Sequence, residues 1–299
     1  MGEVSNRLGV VTGLRWWILL AIAVAVMSAV YVLAVLTPTG QALENAAIAG
    51  THQVSAATGE QALQSLDAIT LTTLAAATVV IIAIGVLRRQ YELAALAAAV
   101  IVGGQVVTQG LKRYILPRPE LIGADATIVE NSFPSGHTTI AMTLLIAVFL
   151  VVPFRWRGVA MTVVMTWAIA IGAYTITARW HRFSDTLGAD MVALGLGAVV
   201  SLILLRTGRI VPAASRPRAR VLFVILMSLV AAVMLVLGVF IAVAASRYPL
   251  DDPIIQWDLY LAANSLAIAG SAWTGLVFWL SWRRLEIRPQ PRKSESREV

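Results

Sequence analysis

The sequence predicts an all-α fold, a polytopic membrane helical bundle of about eight transmembrane helices. Three observations predict it. Of 299 residues, 59% are hydrophobic and only 13% are charged, whereas a soluble domain carries about 25% charge. Eight stretches are apolar over roughly the ~20 residues that cross a hydrocarbon core. Finally, with the N-terminus cytoplasmic, 17 of the 23 Lys and Arg residues fall on the inside and 6 outside, the bias of membrane proteins with both termini inside.

The first span, residues 16–36, opens on Trp16 and Trp17 and is too long for the apolar region of a signal peptide. Residues 37–66 lack Lys and Arg and predict a short surface helix or an irregular outer loop. Spans at 68–87 and 93–111 are joined inside by Arg88 and Arg89. A fourth, at 138–152, is the shortest, and spans at 158–178 and 186–205 follow. The Arg- and Pro-rich segment 206–220 reads as a cytoplasmic linker before spans at 221–245 and 260–282. The expected organisation is a six-span core over 1–205, the linker 206–220, a two-helix extension over 221–283 and a polar cytoplasmic tail over 284–299. Trp16, Trp17, Trp156, Trp180, Trp257 and Trp282 lie at span ends, where indole rings favour the interface. Gly188, Gly195 and Gly197 read as close helix packing.

With no cysteine, disulfides, thiolate metal sites and cysteine nucleophiles are excluded. The net charge of +7 is accounted for by cytoplasmic loops, so no nucleic-acid partner is expected. Neither a P-loop nor an HExxH motif is present.

Three segments at outer span ends concentrate the chemistry. KRYILPRP, from Lys112 to Pro119, leaves the third span; NSFPSGHTT, from Asn131, enters the fourth; RWHRFSD, from Arg179 to Asp185, joins the fifth and sixth. Ser135 and Gly136 precede a helix, whose free N–H groups suit a phosphate, and His137 can supply a proton. An ordinary helix entry would use the same residues. His181 and Asp185 are four apart and share a helical face; the carboxylate can fix the imidazole tautomer, or the pair can be structural. Lys112 and Arg118 are either phosphate ligands or snorkelling cations, and the second role is disfavoured on the side poor in Lys and Arg.

These motifs, Lys112…Arg118-Pro119, Pro134-Ser135-Gly136-His137 and His181-x-x-x-Asp185, resemble those of the type 2 phosphatidic acid phosphatase family, which includes vanadium haloperoxidases. The resemblance covers about residues 60–205 and points to the membrane lipid phosphatase branch. It implies a phosphoric monoester hydrolase acting on a lipid phosphate or pyrophosphate in the bilayer at the non-cytoplasmic face of the cell membrane. It implies His181 as nucleophile, forming a phosphohistidine, Asp185 orienting it and His137 as proton donor. Lys112, Arg118, Ser135 and the Gly136 backbone would hold the phosphate, with no metal or other cofactor. The family spaces Lys and Arg-Pro by six residues, where five stand here. It also places an Arg six positions before the nucleophile, where Thr175 stands. Arg179, one turn beyond on the same face, is the expected replacement, with Arg182 the other candidate. A phosphoryl transferase and a non-catalytic lipid-binding or transport protein are the alternatives.

Overall fold

The computed structural model describes residues 2–122, 131–213 and 218–288. The expected tail from residue 289 and the centre of the linker, residues 214–217, lie outside the described residues. Among the described residues ten α-helices carry the fold: α1 (Gly2–Val30), α2 (Pro38–Gly50), α3 (Ala56–Asp67), α4 (Leu71–Leu87), α5 (Tyr91–Gly110), α6 (Gly136–Val151), α7 (Arg157–Thr177), α8 (Phe183–Arg206), α9 (Arg218–Ala245) and α10 (Pro253–Ser281). Two short strands, β1 (Ile210–Pro212) and β2 (Leu285–Ile287), pair antiparallel with Val211 opposite Glu286.

Each of the eight expected spans is helical, but their lengths differ. Six helices among the described residues, α1, α5, α7, α8, α9 and α10, are long and apolar enough to cross a membrane unaided. This is a multi-pass membrane protein. The second expected span is the upper limb of a broken pair, α3 and α4, bent by 60°. The bend falls where Thr70 and Thr73 form a reciprocal capping box that starts a new helix. Helix α6 has 16 residues, about 24 Å at the usual rise, and stops at Val151 before Pro153.

Segment 37–66, expected as an outer loop, is ordered as α2 and α3. Thr37 caps α2, accepting from the Gly40 N–H at 3.0 Å, and Pro38 occupies its first turn. Two glycines let α2 dock. A Cβ at Gly40 would collide with the Leu33 carbonyl at the end of the first span, and one at Gly50 with the Gln256 carbonyl on α10.

The last two helices are built into the bundle. Helix α10 packs on α2, α7 and α8 as well as α9. Ser271 of α10 donates to the Asp190 carboxylate of α8 at 3.0 Å, and Asn264 and the Tyr260 hydroxyl meet Thr177 of α7. Trp16 and Trp282, expected as interfacial anchors, are fully buried. Their rings lie 5.2 Å apart and their indole N–H groups donate to Ser281 and Ser201. Hydroxyls supplied inside the bundle replace the interfacial water these groups would otherwise seek. Trp17 and Trp156 remain exposed. The glycine expectation holds at Gly188 and Gly197, where a Cβ would come within 2.7 Å of the Phe133 ring and 2.9 Å of Phe278.

Candidate active site

The C-terminus of α5, the N-termini of α6 and α8 and the C-terminus of α7 meet at one end of the bundle, so all three chemical segments converge there. Asn131 ties the first to the second. Its amide nitrogen donates to the carbonyls of Lys112 at 2.9 Å and Leu116 at 2.6 Å, while its oxygen accepts from the Phe133 N–H. The second is joined to the third through the backbone, the Ser135 N–H donating to the Asp185 carbonyl at 2.9 Å.

Ser135 caps α6, its buried Oγ accepting from the Thr138 N–H at 3.3 Å. A Cβ at Gly136 would approach Gln109 Nε2 no closer than 3.7 Å. Packing therefore does not demand a glycine here, and the bare backbone leaves room for an approaching oxygen. His137 rests its ring on Trp180, centroids 5.1 Å apart, within electrostatic range of His181 and Lys112.

Helix α7 ends by delivering His181. The Thr175 carbonyl accepts from the N–H groups of Trp180 at 3.0 Å and His181 at 3.1 Å, across Arg179 in the left-handed region (φ 62°). His181 Nδ1 lies 3.3 Å from Asp185 Oδ2, which also accepts from the Arg182 N–H at 2.8 Å. Asp185 is fully buried, in the first turn of α8. A carboxylate so placed can accept from Nδ1–H, the tautomer that leaves Nε2 with its lone pair.

The two candidate arginines separate. Arg179 Nε donates to Thr51 Oγ1 at 2.6 Å, beyond the end of α2. Arg182 is 4% exposed and reaches Ser132, beside the second motif, and Asn45 of α2. Arg118 and Arg182 lie within electrostatic range of each other and of Glu44. Arg118 Nη1 is buried with no hydrogen-bond partner among the described residues. A buried donor of this kind is open to an anionic acceptor.

Helix α2 supplies residues that the sequence pattern did not flag. Buried Glu44 pairs with Arg118 at 3.4 Å and accepts from the Ser184 N–H at 2.9 Å, at the open end of α8. Burial, followed by the charge of Asp185, pushes its carboxyl above the usual range; Ser184 and Arg118 pull it partly back. The signal available in the sequence was a Glu-Asn pair inside the alanine-rich run QALENAAIAG.

The residues that the sequence motifs singled out lie within one continuous stretch, from Lys112 to Asp185. Residues 91–209 match the model of the PAP2 superfamily. The match runs from the start of α5 past the end of α8 and holds every candidate residue singled out in the sequence. It supports phosphatase-type activity, while α2 and α10 lie outside it. No curated protein and no solved structure matches the chain.

Proposed function

We propose that this membrane protein hydrolyses a lipid phosphate or pyrophosphate monoester at the non-cytoplasmic face, through a phosphohistidine. The reading is carried by one observation, the His181–Asp185 pair at 3.3 Å bonded through the Asp185 carbonyl to the Ser135 N–H at the α6 entry. His181 Nε2 attacks phosphorus as the bond to the ester oxygen breaks, and His137 gives its proton to the leaving alkoxide. Water then attacks the phosphohistidine, His137 takes its proton, and cleavage of the P–N bond restores His181 and releases phosphate. Lys112, Arg118, the Ser135 hydroxyl and the Gly136 N–H are the groups suited to the phosphoryl oxygens. Arg182 supplies the charge that Thr175 does not. The excess of Lys and Arg at the opposite end supports the membrane orientation and cytoplasmic termini.

The test is phosphate release from a panel of lipid phosphates by the purified protein. His181→Ala abolishes release, and EDTA leaves the wild-type rate unchanged. Full activity in His181→Ala would sink the mechanism.

A further inference from the structure

We propose that the apolar cavity between the end of the first span, α2, α7, α9 and α10 holds a single hydrocarbon chain of the substrate. This rests on the phosphatase reading above and names the part of the substrate that reading leaves open.

The cavity has a volume of about 250 Å³, below the ~300–1,000 Å³ of drug-sized sites, which suits one chain rather than a two-chain lipid body. Its walls are apolar: Leu43 and Ala47 from α2, Ile176 from α7, Leu259 and Ala263 from α10, with Phe183 at the start of α8. The charged residues among those lining it are Glu44 and Arg182. Both adjoin the candidate site, because the Arg182 N–H donates to the carboxylate beside His181, and Glu44 pairs with Arg118. A phosphorylated amphiphile has this asymmetry, an anion joined to an apolar chain.

A second, larger apolar groove of about 570 Å³ lies between α1, α5 and α8, but no charged residue lines it. It can accept a bilayer lipid without orienting its headgroup. Most of the proposed pocket comes from residues outside 91–209, so the helices beyond the PAP2 match would set the chain selectivity of the chemistry within it.

Butyl, octyl and dodecyl phosphate serve as probes, with binding read by calorimetry on the full chain in detergent and phosphate release read separately. Partitioning into detergent is common to all variants, so changes in the ratios report the pocket. Octyl phosphate binds at least about tenfold more tightly than butyl phosphate. Ala263→Leu, which fills the cavity, shrinks that ratio by about tenfold. Leu43→Ala, which enlarges it, shifts the preference toward dodecyl phosphate and keeps the test open where Ala263→Leu does not fold. Gly195→Leu, in the second groove, leaves the ratio unchanged. Ratios unmoved by both cavity variants, or moved by Gly195→Leu instead, overturn the pocket. Chain-dependent binding that responds to the cavity variants without phosphate release upholds the pocket and overturns the hydrolytic reading.

Discussion

Arg179 and Arg182 stand three positions apart and take different partners, Thr51 for the first and Ser132 and Asn45 for the second. Arg179 occupies a left-handed position, which costs a non-glycine residue about 1–2 kcal/mol, and its bond to Thr51 at 2.6 Å recovers about 1 kcal/mol. Arg179→Gly therefore leaves thermal stability nearly unchanged and holds kcat/KM within about threefold of wild type. Arg182→Ala removes a charge-assisted contact worth about 1.5–3 kcal/mol, a loss of about 10–100-fold in kcat/KM. Steady-state kinetics on the two variants decide the assignment, and a larger loss in Arg179→Gly would reverse it. Glu44 carries a pH signature. Its carboxyl is raised from 4.5 by burial and by Asp185, so the folded protein keeps a proton that the unfolded chain has already released. The stability linked to this group is complete below 4.5 and is lost as pH rises through the raised folded value. Melting temperatures should show that decline in the wild type and its absence in Glu44→Gln; parallel profiles would remove Glu44 as its source.

At the scale of elements, α2 is the part that composition could not reveal. The apolar runs disclosed the spans because about 20 consecutive apolar residues have few alternatives in water. The motifs were legible because Pro-Ser-Gly-His before an apolar run and the His181 to Asp185 spacing are distinctive, and because the cations of the other two segments run against the predicted charge bias. Helix α2 has neither mark. Its role comes from a tertiary contact, Glu44 to Arg118 across 74 positions of sequence, licensed by two glycines at the points of backbone contact. Gly50→Ala should cost about 1–3 kcal/mol by overpacking and lower activity by lifting Glu44 and Asn45 from the arginines. Gly59→Ala on α3, where a Cβ meets nothing within 4 Å, is the control and should change neither. Equal effects in melting and turnover assays would mean that α2 docking does not govern the site.

At the scale of the molecule, the matched segment and the bundle have different boundaries. The PAP2 match ends at residue 209, but Thr177, Asp190 and Ser201 take their side-chain partners from α10 and the turn after it. A chain stopped after Arg209 should therefore fail to give a monodisperse, folded species by size exclusion in detergent, and a stable truncated protein would make the last helices an accessory. The sequence marked the last two helices as apolar spans, and hydropathy carries no record of which side chains they serve. The same blindness made Trp16 and Trp282 look like interfacial anchors, since an indole at a span end reads alike whether its N–H meets water or a buried serine.

Arg15 and Trp16 at the start of the first span both bond to Ser281, in the last residue of α10. Synthesis brings Arg15 and Trp16 out at least 265 residues ahead of Ser281, so their side chains lack these partners until α10 has inserted. The first span and the tenth helix therefore lock together late in assembly.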